Sequence, residues 1–89
     1  MLRITKSAEK GSEVTLQVEG RIVSEWAAQL ESETERLLDA GKIVVLDLAG
    51  VTEVGLMGVA AVRRLLAKNV IIERCPSLIM SLIEEGTEQ

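Results

Sequence analysis

A chain of 89 residues has room for one domain, and with no Phe, no Tyr and a single Trp its core must be aliphatic, a composition that favours a sheet covered by helices. Fourteen acidic residues against ten basic ones give a net charge of −4, which excludes a cationic nucleic-acid-binding surface and disfavours direct membrane insertion. The sequence has no His, and the lone Cys75 has no imidazole partner, so we expect no metal site, no Cys–His nucleophile and no cofactor. No leader pattern follows Met1 and no apolar run is long enough to cross a bilayer, which predicts a cytoplasmic protein.

Two segments of alternating polarity open the chain. Leu2 and Ile4 alternate with polar neighbours, and after a turn at Gly11 the same alternation recurs over residues 14–18. This period of two predicts two strands paired as an antiparallel hairpin. Gly20 is expected to close the second strand.

An acidic helix is predicted next. Ser24 is suited to the N-cap position and Gly41 to the residue that follows the helix. The apolar positions recur at helical spacing: Trp26, Ala27, Leu30, Thr34, Leu37 and Leu38. The opposite side carries Glu25, Glu31, Glu33, Glu35 and Asp39, which we interpret as a solvated face and not as a dedicated docking site.

The second half of the chain alternates strands and helices. The apolar run 43–48 predicts a central strand buried on both faces and ended by Gly50, and a helix is expected from Leu56 to Lys68 with Asn69 as its stop. A short strand follows at 70–72, and Pro76 suits the first position of a last helix that ends near Gly86.

The elements together predict one α/β domain over residues 1–89, with a mixed four-stranded sheet, three helices and the order β-β-α-β-α-β-α. Val44 and Leu46 face the opposite way from Ile43 and Val45. One face of the sheet is therefore expected to lack full cover, which suggests self-association as a homodimer through that face or through an exposed edge.

The segment from Gly50 to Gly55 has the glycine spacing of a phosphate-binding loop, but Leu56 and Met57 stand where that loop needs Lys and a hydroxyl, and Glu53 would repel a phosphate. The helix that follows is apolar all round for two turns. We expect its inward face to hold Val59, Val62, Leu65 and Leu66, and its outward side Leu56, Met57, Ala60, Arg63, Arg64 and Ala67. Either Leu56 and Met57 form an exposed anchor for a protein partner, with the arginines as a basic flank, or another part of the fold covers them.

The stretch from Ile43 to Val54, running into Gly58 and an apolar helix, resembles the STAS family, the domain of anti-sigma-factor antagonists and of sulfate-transporter tails. Gly20-Arg21-Ile22 is also similar to a family feature, and the resemblance spans residues 14–83. The family's Asp-Ser-Ser-Gly motif falls on Gly55, Leu56, Met57 and Gly58. The resemblance implies that the first serine accepts phosphate in switchable antagonists, and Leu56 cannot do so.

The resemblance implies a regulatory, non-catalytic interaction domain whose partner is an anti-sigma factor or kinase-like protein. The alternative is an accessory subunit of a membrane transport complex that binds its ATPase, and a third possibility is nucleotide or small-molecule binding near Gly55. The residues predicted to contact the partner are Thr52, Glu53, Gly55, Leu56, Met57, Gly58, Ala60, Arg63 and Arg64. Thr52 is the hydroxyl nearest to the lost serine, and we interpret it as a turn residue.

Overall fold

The computed structural model describes residues 1–85 and confirms the predicted order of elements. The bounds are β1 Leu2–Lys10, β2 Glu13–Ile22, α1 Ser24–Asp39, β3 Ile43–Val54, α2 Leu56–Ala67, β4 Ile71–Glu73 and α3 Ser77–Glu85. The predicted helix end at Gly86 lies outside the described residues.

The four strands form one mixed sheet in the order β1-β2-β3-β4. β1 and β2 pair antiparallel as a hairpin, whereas β2–β3 and β3–β4 are parallel pairs. Each parallel pair is joined through a helix, as parallel strands require. The parallel strands β2 and β3 are followed by α1 and α2 respectively. The two helices therefore run side by side over the sheet.

The core is aliphatic and lies on one face of the sheet. It is built from alternate residues of β2 and β3, which are at most 5% exposed: Val14, Leu16, Val18, Val44, Leu46 and Leu48. The three helices contribute to the same cluster through Ala27, Leu30, Ala61, Val62, Leu65, Ile79 and Ile83. On the opposite face Ile43 is 51% exposed and Ile71 is 45% exposed, so no described helix covers them. Self-association through that face stays a prediction.

Both glycines that were expected to end strands lie inside them. β2 continues through Gly20 to Ile22, and β3 continues through Gly50 to Val54. The register of pairing between β2 and β3 shifts on either side of Gly20, and the two strands stay paired beyond it. Gly20 has a φ of +104°, and a Cβ there would lie 2.3 Å from the carbonyl oxygen of Met1, so glycine serves a close backbone approach and not a stop.

Two smaller boundaries also differ from the sequence prediction, and a third agrees with it. Ser24 has a φ of 50°, whereas an N-cap needs extended backbone, and Val23 takes that position without a side-chain cap. Pro76 directly precedes α3, and its carbonyl accepts a hydrogen bond from the backbone N–H of Met80 (2.9 Å). Asn69 ends α2 with a φ of 71°, as the sequence predicted.

An ion pair between the exposed Arg74 and the buried Asp47 ties the segment after β4 to the centre of the sheet. Asp47 is 5% exposed, and its carboxylate accepts hydrogen bonds from Arg74 Nε (3.2 Å), from Arg74 Nη2 and from the backbone N–H of Ala49 (3.1 Å). The hydrogen bonds from Arg74 are the main cause that lowers the pKa of Asp47. The pair satisfies the one buried carboxylate of the core strand.

Arg74→Ala is expected to lower Tm at pH 7, because it leaves a nearly buried carboxylate without its cation. Since the folded state lowers the pKa of Asp47 below 3.8, the pair contributes fully above that pH, and its contribution is lost as the pH falls further. The difference in Tm between wild type and variant should therefore narrow on acidification, as measured by circular dichroism. Arg36→Ala, which breaks an exposed pair with Glu33, is the control, and a difference that does not change with pH would contradict the assignment.

Candidate partner-binding surface

A tight turn carries the chain from the end of β3 into α2. Gly55 takes the N-cap position with extended backbone (φ −91°, ψ −175°), and no side chain caps the helix. Its N–H donates to the carbonyl of Ile22 (3.1 Å), and its own carbonyl accepts from the N–H of Val59 (2.9 Å). The first turn of α2 is thereby tied to the end of β2.

Gly58 brings α2 into direct contact with the sheet. A Cβ at this position would lie 2.1 Å from the carbonyl oxygen of Ile22 and 3.0 Å from side-chain carbons of Ile22 and Val54. No side chain larger than hydrogen fits there without a backbone shift. Gly58 is buried, so its part in the predicted site is to set the position of the helix and not to touch a partner.

Leu56 and Met57 are exposed, which excludes the interpretation that another described part of the fold covers them and leaves their role as a partner anchor a prediction. Leu56 is 91% exposed and Met57 is 61% exposed, so no described part of the fold covers them. The inward positions of α2 belong to Gly58, Ala61, Val62 and Leu65. One predicted inward residue was wrong, since Leu66 is 38% exposed, whereas Val59 is partly buried and packs against the core. Gly58 and Ala61, which are small, face inward near the start of the helix, where it lies close to the sheet.

Thr52 and Glu53 lie on the last residues of β3, beside this turn, and both already have partners. The hydroxyl of Thr52 donates to the carbonyl of Gly20 (3.2 Å), and Thr52 lies within β3, so its interpretation as a turn residue was wrong. Arg21 Nε donates to the Glu53 carboxylate (2.8 Å). The sequence indicates no link between Arg21 and Glu53, because they are far apart in the chain and meet only through the parallel pairing of β2 and β3.

The two arginines of α2 have different surroundings. Arg64 donates from Nε and Nη2 to the carboxylate of Glu31 on α1, at 2.7 and 2.8 Å, and Lys68 pairs with Glu35 one turn further on. The hydrogen bonds from Arg64 are the main cause that lowers the pKa of Glu31. Part of the acidic side of α1 therefore joins α1 to α2, contrary to the expectation of a solvated face. Arg63 is half-buried and has no carboxylate partner among residues 1–85.

Two shallow depressions flank the outward side of α2. One, of about 150 Å³, lies between α1 and α2, and the other, of about 360 Å³, lies on the outer side of α2. The first is lined by Ala27, Ala28, Glu31, Met57, Ala60, Ala61 and Arg64, and the second by Ala60, Arg63, Arg64 and Ala67. We name the outward side chains of Leu56, Met57, Ala60 and Arg63 the α2 surface.

A family model described as the STAS domain matches residues 4–69, which run from β1 to just beyond α2. The chain belongs to the STAS family. No curated protein sequence matches it. Within residues 1–85 of this STAS domain, no group of three or more His, Cys, Asp or Glu residues could hold a metal ion. No helix in the same range is long and apolar enough to span a membrane.

Solved structures resemble the STAS domain in fold. A structure of the anti-sigma factor antagonist SpoIIAA in its unphosphorylated form matches with a TM-score of 0.62 and 13% identity, covering 85% of this chain and 77% of that chain. A structure described as the crystal structure analysis of Mglu matches with a TM-score of 0.57 and 25% identity, covering 83% of this chain and 20% of that one. The chain thus corresponds to about a fifth of the Mglu chain.

Gly58→Ala is expected to destabilise the STAS domain by about 1–3 kcal/mol, because the added methyl group collides with the Ile22 carbonyl. An exposed helical Gly→Ala change has the opposite sign and stabilises by up to ~1 kcal/mol. Urea unfolding followed by circular dichroism gives the free energy of unfolding.

Gly55→Ala is the matched control, since a Cβ at Gly55 would meet no carbonyl and its nearest neighbour would be a side-chain methyl group of Val23 at 3.3 Å. A Gly58→Ala protein as stable as wild type would show that α2 does not need this close contact.

Proposed function

We propose that this STAS domain is a non-catalytic regulatory module that binds another protein through the α2 surface and does so without a serine phosphoswitch. The observation that carries the proposal is the 91% exposure of Leu56 at the start of α2. A helix on the surface of a soluble domain normally turns polar side chains outward, and here its first turn turns two large apolar ones outward.

Burial of these two side chains is a source of binding free energy. Removing one Leu or Met side chain fully from water contributes on the order of 1.5–3 kcal/mol. Leu56 and Met57 are adjacent and project from one rigid turn, which Gly55 and Gly58 hold against the end of β2. A partner that covers them gains this free energy without ordering a flexible loop.

The α2 surface offers no hydroxyl that phosphorylation could use. Leu56 stands where the family resemblance places the phosphoaccepting serine, and Met57 stands where it places the second one. The nearest hydroxyl, on Thr52, is engaged with the carbonyl of Gly20. We therefore infer a docking site whose affinity is constant, with control exerted on the partner or on the amount of either protein.

The proposed partner is an anti-sigma factor or a kinase-like protein. The fold shared with SpoIIAA, which is described as an anti-sigma factor antagonist, supports this class. An ATPase of a membrane transport complex is the competing partner, and it would use the same α2 surface. The identity of the bound protein distinguishes the two.

The double variant Leu56→Asp/Met57→Asp is expected to lose its partner while its Tm stays at the wild-type value. Placing two carboxylates in the apolar contact removes roughly 3 kcal/mol or more of burial, which corresponds to about a hundredfold loss of affinity. The measurement is an affinity pull-down from host extract with identification by mass spectrometry, followed by titration of the recovered protein.

Leu78→Asp/Leu82→Asp is the matched control, because it makes the same kind of change at two exposed leucines of α3. It should retain the partner. Recovery of an anti-sigma or kinase-like protein by wild type supports the proposal, and recovery of a transport ATPase selects the competing partner. A partner that binds the α2 variant as tightly as wild type would refute the site.

A further inference from the structure

Arg63 lies on the same outward stripe of α2 as Leu56. Leu56, Ala60, Arg63 and Ala67 are spaced by four, three and four residues, which places them along one side of the helix. Leu56 is exposed, and Ala60 and Arg63 are half-buried. The stripe therefore has a large apolar side chain at its start, a cation about two turns later and a small side chain between them.

The charge of Arg63 is not used inside the described part of the domain, unlike the other charges near the α2 surface. Arg64 is held by both carboxylate oxygens of Glu31, and Glu53 is held by Arg21. These pairs engage the carboxylates of Glu53 and Glu31, and Arg63 makes no ion pair or hydrogen bond with the side chains that the structure describes. A guanidinium has five N–H donors in a planar fork that matches a carboxylate.

The surface beside Arg63 is shallow and bordered by small side chains. Ala60 and Ala67 leave a depression of about 360 Å³ bordered by Arg63 and Arg64. A second depression, of about 150 Å³, begins at Met57 and shares Ala60 and Arg64 with the first. Small side chains along a helix let the backbone of a second helix approach closely, as when an amphipathic helix lies in an apolar groove.

We propose that the α2 surface binds an amphipathic helical segment of its protein partner, with an apolar side chain over Leu56 and Met57 and an Asp or Glu paired with Arg63. This inference rests on the proposed function and adds the chemistry of the partner. Arg63 is seven positions after Leu56, which corresponds to about 10 Å along the helix axis. The acidic residue of the partner therefore lies about two helical turns from its apolar anchor.

The probe is a phage-displayed library of randomised helical peptides, selected on wild-type protein and depleted on the Leu56→Asp/Met57→Asp variant. Peptides that survive should combine an apolar residue with an Asp or Glu about two turns away. Their affinity, measured by fluorescence polarisation, should fall about tenfold or more on Arg63→Glu. A second selection on Arg63→Glu should bring Lys or Arg to the position of the acid.

Arg3→Glu is the charge-matched control, because Arg3 is an exposed arginine on β1. It should leave the affinity of the peptides unchanged. Surviving peptides that bind Arg63→Glu as tightly as wild type would overturn the inference while the proposed function stands. Absence of any surviving peptide would overturn the helical partner, and it would refute the proposed function only if the pull-down is also insensitive to the change at Leu56 and Met57.

Discussion

The contact between Gly58 and the carbonyl of Ile22 sets the geometry on which the rest of the α2 region depends. The same carbonyl accepts the N–H of Gly55, so the first turn of α2 meets the end of β2 twice, by a hydrogen bond and by steric contact. Because glycine fills the inward position of this turn, the turn has no large side chain to bury there. Leu56 and Met57 must then project outward, so their exposure is a consequence of the close packing at Gly58.

Ion pairs between α1 and α2 complete the frame that holds the exposed turn. Glu31 pairs with Arg64, and Glu35 pairs with Lys68. Glu31 and Glu35 are four residues apart, and so are Arg64 and Lys68, so one relative placement of the two helices aligns both pairs. Exposed pairs of this kind contribute little to stability singly. Their effect here is to fix the register of two helices whose aliphatic cores would tolerate sliding, and to leave Arg63 as the outward cation.

The sequence predicts the order of elements well, because the alternation in β2, the apolar run of β3 and the spacing in α1 have clear periods. It fails where one residue type has two uses. Gly20 and Gly50 indicated strand ends, yet both lie within long strands, where glycine permits a close approach that no single-sequence pattern reveals. Leu66 was placed inward from the helical spacing of apolar residues, and the pairing of Arg64 with Glu31 could not be predicted because it depends on the relative placement of two helices.

The apolar turn also determines what kind of control this STAS domain can have. A hydroxyl at a helix N-terminus can change its charge through phosphorylation, and the added charge would interact with the helix dipole and with any acidic partner. Leu56 and Met57 carry no group that changes charge, so the free energy of binding through them comes from desolvation and responds weakly to salt. Under the proposed function, Arg63 supplies the salt-sensitive part of recognition, which acts mainly on the rate of encounter and on the choice of partner. Affinity and selectivity then reside in different side chains of one helix face, and neither can be switched by phosphorylation of Leu56 or Met57.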